Sequence, residues 1–286
     1  MRYLRWASFL PFTIALISAP AVGAEVECIS RWTDQNLHSW KSEPKPSPGD
    51  CDAAIVRGTI VEGDFEKVVA LYRKNHPYLS MFSLISPGGN VDEAMEIGRF
   101  FRKYLITAVA PYKGGVISIG ECSDAEACIC ASACALIWFG APQRGGAVGM
   151  HRPYYAEAGT FSSLSPADAA LSYKKVLNRV SRYLEEIEVP AQVIETMIST
   201  GSGELEWLED DASINPPSFS EWKAAACGHF TEEEKGTLHE LARKRYRKTA
   251  TRNDLLLEDL LKKKDVDKYF CDQSLVSRHR QKLEAP

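Results

Sequence analysis

What this chain lacks narrows the field first. Beyond its opening segment it has no apolar run long enough to span a bilayer, no internal repeat and no low-complexity tract. Polytopic membrane proteins, solenoids and disordered linkers are thereby set aside. Charge of one sign is also scarce: the net charge is −4 over 286 residues, which does not suit a general polyanion binder. There is no excess of Gly or Pro of the kind that marks collagen-like sequence, with 19 and 15 respectively. What remains, 45% hydrophobic and 25% charged, is ordinary globular composition with ample length to bury a core.

The opening segment is of another kind. Met1 to Arg5 carries two arginines and no acid, Trp6 to Val22 is uncharged, and Val22-Gly23-Ala24 supplies small residues before a cut after Ala24. Residues 1–24 therefore read as a secretory signal peptide, with Pro11 and Pro20 disfavouring an uncleaved membrane anchor. Export makes the product periplasmic or secreted, and loss of Arg2 and Arg5 takes its charge from −4 to −6.

All eight cysteines, Cys28, Cys51, Cys122, Cys128, Cys130, Cys134, Cys227 and Cys271, lie beyond the leader. An even number in an oxidising compartment predicts disulfides, whose pairing the sequence alone does not choose. The group from Cys122 to Cys134 has neither paired C-x-x-C knuckles nor a nearby histidine before His151, so no metal site is expected. Read as one helical turn apart, Cys130 and Cys134 are better placed to bridge to other segments than to each other. Arg243, Lys244, Arg245, Arg247, Lys248 and Arg252 form an acid-free basic run. Such a run is more often only a solvated helix face, and it also fits peripheral contact with an anionic membrane surface or a polyanion.

Along the chain, residues 25–51 form a polar lead-in punctuated by Pro44, Pro46 and Pro48. Strands are predicted at Ala53 to Ile60, Leu79 to Ile85, Leu105 to Pro111 and Ala147 to Met150, and helices after Phe65, Asn90 and Ser165. The Ser165 helix carries a near-heptad face of Tyr173, Val176, Leu177, Val180, Leu184 and Ile187, suited to a partner or to its own sheet. Past Pro216-Pro217 the sequence becomes helical and charge-rich. It begins a C-terminal appendage, residues 227–286, with a Thr231/Glu234 capping box and Cys227 and Cys271 as its candidate tie.

Three joints carry chemistry. Ser86-Pro87-Gly88-Gly89-Asn90 lies between a strand and a helix, where unobstructed amides and a helix N-terminus favour an anion or oxyanion. Cys130-Ala131-Ser132-Ala133-Cys134 opens a very apolar helix, so Ser132 is either its N-cap or a nucleophile facing the helix N-terminus. His151 is the one histidine delivered by the end of a core strand.

Taken in order, these joints resemble the proteolytic subunit of the Clp protease and its relatives in the ClpP/crotonase superfamily. Ile55-Val56-Arg57-Gly58-Thr59-Ile60 is similar to the family's opening strand, and Ser86-Pro87-Gly88-Gly89 to its oxyanion loop. Ala131-Ser132-Ala133 is similar to its Ala-Ser-Met nucleophile motif, and Met150-His151-Arg152-Pro153 to its histidine strand. The likeness covers about Ala53 to Asn215. It implies an α/β fold of ClpP/crotonase-like stacked ββα units over residues 52–226, oligomeric assembly, and cleavage of peptide bonds in a peptide or protein substrate. It also implies a serine nucleophile, Ser132, a general base, His151, and an oxyanion hole from the amides of Gly89 and Ala133. No cofactor, metal or nucleic acid enters that chemistry.

The departures are specific. Where the family carries its orienting aspartate, this chain reads Thr200-Gly201-Ser202-Gly203-Glu204-Leu205-Glu206-Trp207. Glu204 is the candidate third member, with Glu206 and Asp210 behind it. The residue after the nucleophile is Ala133 rather than Met, a tolerable change at a position that donates through its backbone. Two alternatives stay open: a catalytically silent assembly or binding module on the same fold, and a crotonase-like acyl-CoA enzyme.

Overall fold

The computed structural model describes residues 23–31, 47, 49–112, 128–153, 165–209 and 214–286. The leader up to Val22, most of the Pro-rich lead-in, Cys122 and Asp210 lie outside the described residues.

The body is an α/β structure. Its main sheet has five strands in spatial order: β1 (Glu25–Arg31), β2 (Cys51–Arg57), β3 (Met81–Ile85), β4 (Thr107–Val109) and β5 (Gln143–Gly145). β1 runs antiparallel to β2, and the remaining pairs are parallel. The helices α1 (Asp64–Asn75), α2 (Val91–Lys103) and α3 (Ala133–Gly140) lie in the crossovers between the parallel strands. β6 (Ala147–Met150) then leaves that sheet and pairs antiparallel with β7 (Glu206–Glu209); α4 (Pro166–Glu186) and α5 (Ala191–Ser199) lie between them.

β1 is a correction to the lead-in. The polar Glu25-Val26-Glu27-Cys28 stretch is an edge strand, tied to its neighbour by the Cys28–Cys51 disulfide, and an edge strand needs only one apolar face. α3 is the centre of the core, because all eight of its residues are buried. It packs on α2 through glycine: a Cβ at Gly140 would overlap the backbone of Gly98. Tyr183 of α4 donates from its buried hydroxyl to the Leu136 carbonyl at 2.9 Å, and Val180, Leu184 and Ile187 are buried beside it. The near-heptad face thus packs on its own body over the C-terminal half of α4. Arg144 closes the far end of α3, with Nε donating to the Ala141 carbonyl at 2.8 Å and Nη1 to the Ile214 carbonyl at 2.9 Å. Burial pulls this guanidinium down to about 9, which leaves it charged at neutral pH.

The chain finishes in α6 (Pro217–Cys227), α7 (Glu232–Tyr246) and α8 (Arg252–Lys282). Thr231/Glu234 and Thr251/Asp254 form reciprocal capping boxes at α7 and α8. The Cys227–Cys271 disulfide ties α6 to α8, and the Arg280 carbonyl lies 3.0 Å from His76 Nε2 on the body. Within the basic run, Lys244 pairs with Asp254 at 2.9 Å and Arg245 with Glu258 at 3.4 Å. No helix among the described residues is long and apolar enough to cross a membrane.

Candidate active site

The site is assembled by backbone hydrogen bonds between segments far apart in sequence. Isolated parallel bridges join Ile60 to Gly89, Ser86 to Cys130, and Ala131 to Gly149. The individual bonds include Ile60 N–H to the Gly88 carbonyl at 2.9 Å, Ala131 N–H to the Ser86 carbonyl at 3.0 Å, and Ser132 N–H to the Gly149 carbonyl at 2.9 Å. This ladder brings the Gly-Gly turn, the serine joint and the strand leading to His151 side by side.

Ser132 is not an ordinary N-cap. Its side chain makes no cap hydrogen bond, and its backbone sits at φ 58°, ψ −124°, a conformation that a residue with a Cβ rarely adopts. Strain of this kind is held only where the surroundings over-determine it, and it clusters at functional sites. Two devices hold it here. The bridges grip the residues on its N-terminal side, and a disulfide joins Cys130 to Cys134 across it.

That disulfide overturns the expectation that the two cysteines bridge elsewhere. α3 starts only at Ala133, so the Ser132 turn intervenes and the Cα atoms stand 5.3 Å apart, within disulfide reach. Cys128 is disulfide-bonded as well, so the three described cysteines of this group are all engaged in bridges. The disulfides belong to an oxidising environment.

The Gly-Gly turn is shaped by contact on both sides. A Cβ at Gly88 would stand 2.6 Å from the Ser132 Cβ and 2.9 Å from the Ala133 amide nitrogen, while one at Gly89 would overlap the Ile60 carbonyl. Both glycines have positive φ, 106° and 138°. Gly88 spends its N–H on the buried Ser86 hydroxyl at 3.0 Å. The N–H groups of Gly89 and Ala133 find no acceptor among the described residues. Asn90 takes the Asp92 and Glu93 amides of α2, at 3.0 and 3.1 Å, so the Gly89 donor lies just outside the cap. Two open amides, each leading into the N-terminus of a helix, make a donor pair suited to an oxyanion.

His151 follows β6 and is buried. Its Nδ1 lies 2.7 Å from the Arg152 carbonyl oxygen, which can only accept, so the proton sits on Nδ1 and neutral imidazole carries its lone pair on Nε2. Arg152 N–H donates to the Thr200 carbonyl at 3.1 Å, fixing this carbonyl's segment against the end of α5.

Glu204 has another setting. It is exposed, its N–H closes a turn on the Gly201 carbonyl at 3.0 Å, and its carboxylate lies over Gly201. Glu206 is exposed too, opposite Met150 in the β6/β7 pair. The structure thus unites Ser132, Ala133 and the Gly-Gly turn with the strand of His151, and meets Nδ1 with a main-chain oxygen. Ser86 and the Arg152 carbonyl are contributors that sequence reasoning missed. Ser86 carried a signal, as the serine opening the Gly-rich turn, whereas a backbone oxygen carries none. A scan of protein-family models and a search of curated proteins give no match to this chain.

Proposed function

We propose that this protein is a periplasmic or secreted serine hydrolase of ClpP/crotonase-like type that cleaves peptide bonds. The observation that carries the reading is Ser132: a strained, non-capping serine at a helix start, against Gly88, with the amides of Gly89 and Ala133 open beside it. In the proposed reaction Ser132 Oγ attacks the scissile carbonyl carbon as His151 Nε2 takes the hydroxyl proton. The negative oxygen is held by the two amides, and collapse expels the amine, which receives the proton from His151. Water then repeats the sequence on the acyl-enzyme. Losing one such amide donor costs about 2.7 to 4 kcal/mol of transition-state stabilisation.

A second reading, a silent binding module on the same fold, draws on the main-chain oxygen at Nδ1. A carbonyl fixes the tautomer but brings no negative charge to stabilise an imidazolium. Labelling of the oxidised protein with a fluorophosphonate probe separates the two. Hydrolase chemistry predicts labelling that Ser132→Ala abolishes and His151→Ala reduces at least a hundredfold. An unlabelled, folded wild type would establish the silent module.

A further inference from the structure

Asp64, the first residue of α1, is fully buried. Its Oδ2 accepts from the Val61 N–H at 2.8 Å and from the Ala24 N–H at 3.0 Å. Its Oδ1 accepts from the Lys67 ammonium at 2.7 Å, and the same Nζ reaches the Ala24 carbonyl at 3.1 Å. Ala24 is 2% exposed, so a residue that small-residue spacing alone would assign to the leader is integral to the fold. A cut after Ala24 would take both of its backbone groups away from the Asp64–Lys67 pair. It would leave Oδ2, buried, with one donor in place of two.

Gly23 is confined as well. A Cβ there would lie 2.7 Å from Val61 Cγ2 and 2.9 Å from both Asp64 Oδ1 and Lys67 Nζ. A small residue at this position, with Ala21 two residues before it, also meets the small-residue requirement for a cut one bond earlier.

We propose that the leader is removed between Gly23 and Ala24, and that the new α-ammonium of Ala24 forms a buried ion pair with Asp64. A signal-peptidase-type endopeptidase adds water across that bond: Gly23 leaves as a carboxylate, and the Ala24 nitrogen takes a proton and becomes an ammonium. The atom that now donates one neutral hydrogen bond to Oδ2 then donates a charge-assisted one. The same carboxylate oxygen holds Val61, and the adjoining Ile60 is bonded to Gly88 and Asn90 at 2.9 and 2.8 Å. The mature N-terminus thereby braces the Ile60–Val61 segment, which shapes the Gly-Gly turn. The cut and the ion pair do not depend on the hydrolase reading.

The test is N-terminal sequencing and intact mass of wild-type protein exported from the full coding sequence. A chain beginning at Ala24 is the expected result; one beginning at Val22 or Glu25, or retaining Met1, overturns the proposal. The ion pair is tested on the same preparation with an amine-reactive ester. An α-amine at least tenfold slower to react in the native protein than after unfolding supports it, and equal rates overturn it. Asp64→Asn should release that reactivity. If this variant does not fold, Lys67→Met, which leaves the Asp64 carboxylate in place, should keep the amine protected.

Discussion

The α/β body and the C-terminal helices are held together by different means. In the body, α3 is buried at every position, and Trp138, Phe139, Phe82 and Phe101 are fully inaccessible. In the helices, α8 runs for 31 residues, yet only Glu258, Asp272, Val276 and Arg280 are buried on it, while Leu255, Leu256, Leu257 and Leu260 stay exposed. A small apolar cluster of Leu105, Phe219 and Val276 joins the two regions. Among the helices themselves, ion pairs, capping boxes and the Cys227–Cys271 bridge supply the ties. A region with a dry core depends on volume; one without it depends on covalent and charged constraints, and so on redox state, acid and salt.

The contrast is broken most severely in the core. Trp138→Ala should destabilise the body by about 3–5 kcal/mol in denaturant unfolding, since the void at the sheet's covering helix cannot collapse. Replacing Cys227 and Cys271 together by serine should cost about 2–4 kcal/mol. Hydrogen exchange should place that loss in α6–α8, with α2 and α3 still protected and Ser132 labelling unchanged. A loss of protection spread through α3 would mean that the two regions fold as one unit.

Replacing Cys130 and Cys134 together by alanine should act on the site rather than on the fold. Freeing the strained serine turn should slow probe labelling about tenfold, equivalent to about 1.4 kcal/mol of barrier, with little change in melting temperature. Thr251→Ala should loosen the start of α8 by about 1 kcal/mol.

Acid gives a related and smaller effect. The Thr251 hydroxyl and amide, with the Lys244 ammonium, hold the Asp254 carboxyl well below the usual carboxylate range. Its folded pKa lies under its unfolded one, so this contribution is complete above about pH 5 and is lost as pH falls through about 4 and below. Circular dichroism between pH 6 and 2 should show early loss of helix that Asp254→Asn removes. Leu260→Ala, at an exposed position, should change stability by no more than about 0.5 kcal/mol, which unfolding midpoints will resolve.

Elements with a strong local signature were legible in the sequence. The apolar run of β3, the helices after Asn90 and Ser165, and the Thr231/Glu234 box all appear where periodicity and capping residues predict them. The short polar strands β1, β5 and β7 were missed because their pairing comes from neighbours distant in sequence. At the site, Ser132, Ala133 and the Gly-Gly turn were singled out by the resemblance of successive motifs to the ClpP/crotonase pattern, since each segment alone reads equally as a cap or a tight turn. The positive φ of Ser132 could not be read, and with it went the Cys130–Cys134 pairing. The Arg152 carbonyl at Nδ1 was hidden for another reason, since every residue has one.

The contact between Gly98 and Gly140 bears on how such a site can change over time. At this point α2 and α3 meet backbone to backbone. The two amides that precede these helices therefore inherit a separation set by main-chain geometry. Substitutions elsewhere on the two helices leave that contact in place, whereas any side chain at Gly140 would force the helices apart. Variation that selection can use is thereby channelled to the faces away from that contact, while the spacing of the two helices stays fixed.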